Sequence, residues 1–562
     1  MKKLLYLSLA LACTVGFAQN QNQSEDEDKK DWGTLTGGFE SIVQWYNDDT
    51  GLGKFAEDEH VRSNNYLKLD YNYGNWFAGI QVESYAPMPL LNYSPKLDDS
   101  GIAQYYAMYK TKKLEVTAGY FYEQFGSGLI LRGWENRPLG INNSFRGGRV
   151  KYQPSNSLAF TGMYARQRDG FEVSEGEIFA FNSEIDLTNL FKLQTSSLSA
   201  GFSYVGRKED IPEAVQNNDF DEMTNAFSAR LDYSGNSFYS GVEYITKSND
   251  IIVNSQRFIE NFVESGNALL VNFGYSQKGL GIDATFRRLE NMNFFSEREA
   301  SGNVFNENIM NYLPGLTKQH DYLLTNIYVY QAQPAISVPD PSLLKYGEIG
   351  GQIDLFYNFK KGTALGGKYG TKVALNGAYW AGLKGDFNFT DRDSEVEFFG
   401  FGQKYFSEFS MEVRKKWSRK WQSIFYYVNQ YYNQRFITDQ RDIVKSNIAV
   451  VESTYRINSR RSIRAELQHL WTETDNKNWA GGTIEFNVTP RLSFYVNDIY
   501  NYGNDNEDEQ IHYYNVGGSF ARGATRFAVN YGRQRGGLVC VGGVCRFVPQ
   551  STGVTFNITT AF

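Results

Sequence analysis

Apolar and polar side chains alternate one by one over many short runs of this chain, which is the period of a β-strand with one apolar face. The segments 35–45, 67–73 and 114–122 show aliphatic and aromatic residues on one face and Lys, Asp, Glu, Thr or Gln on the other. No amphipathic helix pattern of comparable length competes with them in the sequence. The pattern therefore predicts an all-β protein.

The last run, residues 551–562, alternates in the same way and ends on an aromatic residue. Phe556, Ile558 and Phe562 fall on its apolar face. Such a strand is typical of the closing strand of bacterial outer-membrane barrels, whose insertion machinery reads the C-terminus. We therefore interpret these three residues as an insertion signal, and expect outer-membrane lipid and the barrel insertion machinery as partners.

The connections between the runs alternate between long and short. Short turns occur near 74–75, 110–113 and 278–279, whereas 47–63 and 87–100 are longer polar segments. Tight periplasmic turns and long external loops are typical of outer-membrane barrels, and tight hairpin turns favour Gly, Asn and Pro. Counting the strands between these alternating short and long connections predicts about 24 antiparallel strands, within 22 to 26, with both termini periplasmic.

Composition separates a membrane barrel from a soluble β-protein. The mean hydropathy is −0.48, yet 39 Tyr, 41 Phe and 9 Trp make the chain 16% aromatic. In a membrane barrel only alternate residues face lipid, and aromatic rings gather at the two interfaces. The net charge of −7 argues against nucleic acid as a partner, because that partner requires clustered cations.

The N-terminus is typical of an exported protein. Residues 1–18 combine two lysines, an apolar run and small residues at the end, which predicts a signal peptide cleaved after Ala18. Cys13 admits a rival interpretation as a lipidated cysteine, although the residues before it fit that pattern poorly. We expect 19–31 to be a disordered periplasmic lead and 32–562 to form the barrel, since no later apolar run reaches the roughly 18 residues of a membrane helix.

The segment 125–149 differs from its surroundings, with glycines and arginines around an apolar centre. A barrel of this size would leak small solutes unless something occupied its lumen. One interpretation is an inward constriction loop whose arginines pair with acidic wall residues or hold an anionic ligand. The other is an ordinary external loop packed over the mouth. The constriction candidates are Arg132, Arg137, Arg146 and Arg149.

A second unusual segment is 291–346, which has few strand signals and several prolines. Loops of this length inside a compact domain are usually functional. We expect it to be a long external insert.

Charged residues opposite the apolar faces should line the lumen, because a charge on the lipid face costs roughly 2–4 kcal/mol at the midplane. The candidates are Lys68, Asp70, Glu115, Arg526 and Asn530. The alternative for each is a hydrated wall without a role in selectivity.

Cys540 and Cys545 are the two cysteines beyond the signal segment. In an oxidising envelope compartment a local disulfide is expected, and a metal pair is the lesser alternative because other ligands are missing nearby. The disulfide would pin the loop 536–550 either as a docking knob for a partner or as a staple against proteolysis.

Other chemistry has little support in the sequence. The acidic clusters at 504–509 and 391–395 could hold Ca²⁺ but lack the spacing of a known calcium loop. The four histidines form no HExxH arrangement. We predict no enzyme activity, no cofactor and no metal site.

Two stretches carry a family resemblance: FGSGLILRGWENRPLG at 125–140 and GGLVCVGGVCRFVPQSTG at 536–553. They resemble an uncharacterised family of large outer-membrane β-barrel proteins from Bacteroidota, and the resemblance covers the whole mature chain. It implies the same barrel fold but brings no assigned activity, so no functional residue is transferred.

Two main functions follow from these observations. The first is a channel or transport-type barrel with a loop-filled lumen. The second is a non-conducting subunit of an outer-membrane machine for protein insertion, secretion or surface-lipoprotein handling, with membrane-complex subunits or lipoproteins as partners. A rim enzyme is the weakest alternative.

Overall fold

The chain forms one closed barrel of 24 antiparallel strands, which confirms the predicted fold. The computed structural model describes residues 32–211, 220–254, 257–334, 336–337, 345–388, 391, 393–440 and 442–562. The predicted signal peptide and the lead at 19–31 lie outside these residues. Successive wall strands pair with each other, and the first and last strands close the ring from Gly38 opposite Ala561 to Tyr46 opposite Gly553.

The first twelve wall strands are β1 Thr34–Tyr46, β2 Val61–Tyr73, β3 Trp76–Ser84, β4 Ser100–Lys110, β5 Leu114–Phe121, β6 Phe145–Ser155, β7 Leu158–Asp169, β8 Glu172–Asp186, β9 Ser197–Lys208, β10 Met223–Ser234, β11 Phe238–Asn254 and β12 Arg257–Gln277. The second twelve are β13 Leu280–Glu290, β14 Glu348–Phe359, β15 Thr371–Asn388, β16 Asp393–Lys416, β17 Trp421–Asn433, β18 Ile443–Arg456, β19 Ser462–Trp471, β20 Trp479–Thr489, β21 Leu492–Tyr500, β22 His512–Arg522, β23 Thr525–Gln534 and β24 Ser551–Ala561.

In the residues that the structure describes, helical structure is confined to single turns between the strands. The α-helical turn is Gln434–Ile437, and the 3₁₀ turns are Arg137–Leu139, Ser301–Phe305, Leu324–Asn326 and Glu507–Glu509. No helix in the described part of the chain is long and apolar enough to cross a membrane.

The two ends of the barrel differ in their connections. One end, the turn end, has connections of two to five residues apart from 187–196 and 360–370. The other end, the loop end, carries the long segments 85–99, 122–144, 291–347 and 535–550.

Alternation along each strand places apolar side chains on the outside of the barrel. In β23, Phe527 and Val529 point outward and are 48% and 45% exposed, whereas Arg526 and Asn530 occupy the opposite face. In a bilayer this outward face would meet lipid, and the closed ladder satisfies the backbone hydrogen bonds that lipid cannot.

The C-terminal residues complete the wall. Phe556 and Ile558 lie on the outward face of β24, and Phe556 is 52% exposed. Phe562 exchanges two backbone hydrogen bonds with Gly37 of β1, at 2.8 and 2.9 Å. A Cβ atom at Gly37 would lie 2.5 Å from the Phe562 ring, so a larger residue there would displace that ring.

The alternation makes a direct prediction about stability. Val529→Arg would place a cation on the outward face near the middle of β23, and we expect it to lower the free energy of unfolding by about 2–4 kcal/mol. The matched variant Asn530→Arg places the same side chain on the inward face and should cost much less. Urea unfolding in lipid vesicles, followed by tryptophan fluorescence, compares the two; equal losses would contradict the assignment of the faces.

Candidate functional site

Four segments of the loop end fold into the lumen and pack on each other and on the wall. We call them together the plug; they are 85–99, 122–144, 291–334 and the hairpin 537–548. Their apolar side chains form the buried core of the protein together with inward-facing wall residues. The core therefore lies inside the barrel, towards the loop end.

The apolar centre of the second segment is fully buried. Phe125, Ile130 and Leu131 are inaccessible to solvent and pack with inward-facing wall side chains such as Ile245 and Leu289. The sequence is compatible with a segment that enters the barrel or with one that covers it, and the contacts of this segment place it inside the mouth.

Arg137 holds this segment to β1 and β2. Its guanidinium donates to Glu40 Oε2 at 2.7 Å and to Glu135 Oε1 at 3.3 Å. It also stacks over the Tyr66 ring, 4.2 Å from the ring centroid. Because Glu40 and Tyr66 are inward-facing wall residues, this arginine joins the plug to the wall.

Arg149 lies on the inward face of β6, where the plug returns to the wall. It donates to Glu115 at 2.6 Å and to Glu123 at 3.0 Å. Arg132 instead stacks within the plug, 3.9 Å from the centroid of the Tyr312 ring. Three of the four candidate arginines therefore lie inside the barrel.

Arg146 is the exception, and its assignment as a constriction residue needs correction. Strand β6 already begins at Phe145, so Arg146 follows strand alternation and shares the outward face with Val150. Its neighbours across the ladder are Tyr120 and Arg166. It is exposed on the outside of the wall near the loop end and does not line the lumen.

Below the plug, the lumen is polar. The Lys68 ammonium lies 3.5 Å from the Asp70 carboxylate, and the Tyr106 hydroxyl donates to Asp70 at 2.9 Å. Arg526 is exposed on the inward face near the turn end, and Asn530 is half-buried on the same face in the middle of β23. These candidates, with Glu115, face the interior of the barrel.

The segment 291–334 begins at the loop-end rim, where the sequence analysis placed an external insert, but its side chains pack inside the lumen. Its first part is held by β11 and β9: Lys247 donates to the Asn293 carbonyl at 2.8 Å and Arg207 to the Phe295 carbonyl at 2.9 Å. Further along, Gln167 of β7 donates to the Ile309 carbonyl at 2.8 Å.

The last part of this segment reaches the opposite wall. The Leu324 amide donates to Gln468 of β19 at 2.9 Å, and the Tyr328 hydroxyl donates to Asp475 at 2.8 Å. The indole of Trp380 in β15 donates to the Leu316 carbonyl at 3.1 Å. Since these contacts run from β7 to β19, the segment spans the lumen from wall to wall.

Buried ion pairs reinforce the plug. Glu348 accepts from Arg287 at 2.5 Å, from the Tyr330 hydroxyl at 2.6 Å and from the Gln333 amide at 2.7 Å. Arg298 of the plug donates to Asp250 of β11 at 2.8 Å. Sequence reasoning missed these groups, because their partners are far apart along the chain.

The disulfide hairpin packs on the other segments of the plug. Cys540 and Cys545 are joined by a bond of 2.00 Å. The carbonyl of Gly542 accepts from the Tyr312 hydroxyl at 2.6 Å, and that of Gly543 accepts from the Gly315 amide at 2.7 Å. The tip thus binds segment 291–334, which is a contact within the chain.

The same hairpin also reaches the second segment. Arg546 donates to the carbonyl of Leu139, and its guanidinium lies 4.5 Å from the centroid of the Phe305 ring. One side chain of the hairpin therefore touches two other parts of the plug.

Within the residues that the structure describes, no group of three or more His, Cys, Asp or Glu side chains is arranged to hold a metal ion. The acidic segment 504–509 instead forms local hydrogen bonds, such as that from Asn504 to Glu509 at 3.2 Å.

A family model for a family of unknown function, DUF6029, matches residues 1–562. The chain belongs to the DUF6029 family. The resemblance based on 125–140 and 536–553 is thereby confirmed, whereas an origin in Bacteroidota stays a prediction. No curated protein matches the sequence of this DUF6029 chain.

Solved structures similar to the DUF6029 barrel include a BenF-like porin from Pseudomonas fluorescens Pf-5, with 8% identity, 94% of this chain and 97% of that chain covered, and a TM-score of 0.35. The siderophore receptor PirA from Pseudomonas aeruginosa has 9% identity and a TM-score of 0.39, with 95% of this chain and 81% of that chain covered. The translocation pore of the P pilus usher PapC has 8% identity and a TM-score of 0.37, with 94% of this chain and 99% of that chain covered. These structural similarities do not identify a function for the DUF6029 chain.

The Glu348 carboxylate should be the main fastening of the last part of segment 291–334. Glu348→Gln would leave the buried Arg287 without its counter-charge, a loss that typically costs about 3–5 kcal/mol. We expect faster hydrogen exchange at residues 328–334, measured by mass spectrometry. Glu485→Gln, at a half-exposed inward position of β20, is the matched control. Unchanged exchange in Glu348→Gln would contradict this role.

Glu307 should make the packing of the plug depend on pH. Burial raises the pKa of its carboxyl to about 7, with the Asp169 carboxylate adding to the rise and a hydrogen bond with Ser94 and the charges of Arg546 and Arg168 opposing it. Between the ordinary carboxyl pKa, about 4.3, and about 7, the unfolded segment ionises while the packed one keeps its proton. Packing therefore weakens as pH rises through this window and changes no further above it.

This pH dependence can be measured as the protection of amides 303–311 against hydrogen exchange, corrected for intrinsic rates, at pH 5.5 and pH 8. The wild type should be better protected at pH 5.5, and Glu307→Gln should lose most of the difference. The prediction fails if the variant retains the full difference.

Proposed function

We propose that this protein is an outer-membrane channel of the transport type, exported by a signal peptide cleaved after Ala18 and closed by its own plug in the conformation described. The loop end would face outward and the turn end the periplasm. The observation that carries the proposal is a polar lumen leading to a plug that is joined to the wall by directed polar contacts as well as by apolar packing.

The polar fastening matters because such contacts can be exchanged for water. A typical hydrogen bond contributes only about 0.5–1.5 kcal/mol net, since water takes the place of the lost partner. The contacts of Gln167, Trp380 and Gln468 with the plug backbone are of this kind. When such a plug moves, water can replace the lost partner of each polar side chain that held it, so the movement does not leave that side chain in an apolar medium.

The arginine candidates have a specific place in this proposal. Arg137 and Arg149 would set the closed position of segment 122–144, because Arg137 of the segment pairs with Glu40 of the wall and Arg149 of the wall pairs with Glu123 of the segment. Lys68, Asp70 and Arg526 would line the wet path below the plug, where their charges meet water or a passing solute.

The second candidate function, a non-conducting subunit of an outer-membrane machine, is favoured by one observation. The segment 291–334 contacts walls on opposite sides of the barrel and so crosses the lumen. In that case the outer surface or the rim would bind membrane-complex subunits or surface lipoproteins. We do not propose catalysis.

Current recordings in planar bilayers test the channel directly. The wild type should produce discrete steps of current. Reduction with a phosphine should raise the open probability, because the hairpin that covers Tyr312 and Gly315 then loses its covalent clamp. The double variant Cys540→Ser/Cys545→Ser should show the raised open probability without reductant and no further response to it.

The control for insertion of the barrel is a variant in which a short Gly-Ser linker replaces residues 316–331. Because this variant lacks most of the segment that crosses the lumen, it should conduct steadily. A wild type that stays silent while this variant conducts would exclude the channel. Stoichiometric companions in a pull-down after gentle detergent extraction would then favour the machine subunit.

A further inference from the structure

Three neighbouring connections at the turn end are strongly basic. They are 360–370 between β14 and β15, 417–420 between β16 and β17, and 457–461 between β18 and β19; we call them the basic turns. Together they contain seven Lys or Arg residues and no Asp or Glu. Because β14 to β19 pair in succession and paired strands lie about 4.8 Å apart, each basic turn lies roughly 10 Å from the next.

The positive charge of the basic turns is not balanced by acidic side chains. Within the part of the chain that the structure describes, none of their Lys or Arg side chains forms an ion pair. Lys361, Lys368 and Arg419 are exposed. The nearest carboxylate along β16, that of Glu412, is paired with Arg414. The basic turns therefore present an uncompensated positive surface.

The longest basic turn lies against the outward face of the wall. Lys415 of β16 shares that face with the exposed Phe409 and Met411. Its ammonium donates to the Leu365 carbonyl at 3.1 Å and to the Thr371 hydroxyl at 2.7 Å. Since the outward face meets lipid in a bilayer, these contacts hold the turn at the edge of the apolar band.

Apolar and aromatic side chains accompany the cations. Leu365, in the middle of the longest basic turn, is 64% exposed. Trp417 and Trp421 flank the second turn, and both are exposed, with ring centroids 5.6 Å apart. The Trp421 indole donates to the Ser453 hydroxyl of β18 at 2.7 Å. Because tryptophan gathers where a bilayer meets water, the cations of the same turns lie at the level of the headgroups.

The loop end carries the opposite charge. Its connection 47–60 contains five acidic residues and one lysine, and its connection 501–511 contains four acidic residues and neither Lys nor Arg. Exposed charges act over about 8 Å at physiological ionic strength. An anionic group is therefore attracted at the basic turns and repelled by these loop-end connections.

We propose that the basic turns bind the headgroup of an anionic phospholipid in the leaflet that meets the turn end. Its phosphate would accept hydrogen bonds from Lys361, Lys368 and Arg419, and its acyl chains would lie along Leu365 and Trp417. Clustered Lys and Arg beside a membrane-spanning segment attract anionic lipids, whereas a zwitterionic headgroup has no net charge to balance them. An acidic protein would match the charge but not the exposed apolar side chains. This inference goes beyond the proposed function, because it requires a barrel in a bilayer but no conduction.

Tryptophan quenching by phospholipids with brominated acyl chains tests the site. The full chain is reconstituted in vesicles of equal parts phosphatidylglycerol and phosphatidylcholine, with the bromine on the first lipid in one preparation and on the second lipid in the other. Comparison with Trp417→Phe/Trp421→Phe isolates the signal of these two side chains. For them we expect phosphatidylglycerol to quench several-fold more strongly than phosphatidylcholine.

Two triple variants, each lacking three turn-end cations, show where the preference arises. The test variant changes the basic turns and is Lys361→Gln/Lys368→Gln/Arg419→Gln. The control changes two other turn-end connections and is Lys112→Gln/Lys113→Gln/Lys192→Gln. We expect the test variant to lose most of the preference for phosphatidylglycerol and the control to keep it. Electrophoretic mobility before and after boiling shows whether each variant is a folded barrel.

A second measurement needs only the wild type and the tryptophan variant. Raising the salt concentration shortens the range of exposed charges, to about 3 Å at 1 M, so the preference for phosphatidylglycerol should fall. The proposal is overturned by equal quenching by the two lipids in the wild type, by an equal fall in both triple variants, by an unchanged preference in the test variant, or by a preference that salt does not alter.

Discussion

The need to satisfy every backbone hydrogen bond within the wall governs this structure. An apolar medium offers no partner for a free amide, so strands that face one must form a ring without edges. Once the ring closes, alternation sends every second side chain inward. A ring of 24 strands is too wide for those side chains to fill, and the loops supply the missing interior. The plug is thus the consequence of a wide wall.

The interior combines two kinds of packing. Apolar clusters around Ile130 and Trp380 join the plug to inward-facing wall residues, and buried ion pairs such as Arg298 with Asp250 fix it to particular strands. Ion pairs gain little net free energy after desolvation, but breaking one is expensive. Apolar packing therefore holds the plug in the barrel, and charge determines where it sits.

The wall could be predicted from the sequence because its signals are local. Residue-by-residue alternation and short turns are visible within a dozen residues, as in 551–562. The interior depends on distant partners: Arg287 and Glu348 are 61 residues apart. The glycine and arginine content of 125–149 did indicate an unusual segment. Which side of the wall a strand residue faces, however, depends only on whether its position along the strand is odd or even. Arg146 was misplaced because β6 begins one residue before it, and 291–334 lacks any pattern that could reveal its inward course.

The link between Arg546 and Leu139 joins residues 407 positions apart. Leu139 belongs to the plug segment between β5 and β6, whereas Arg546 stands in the hairpin that leads into β24. The strand that closes the ring against β1 and the side chain that joins two parts of the plug therefore lie on one stretch of chain. Unfolding of that stretch would open the wall and loosen the plug together.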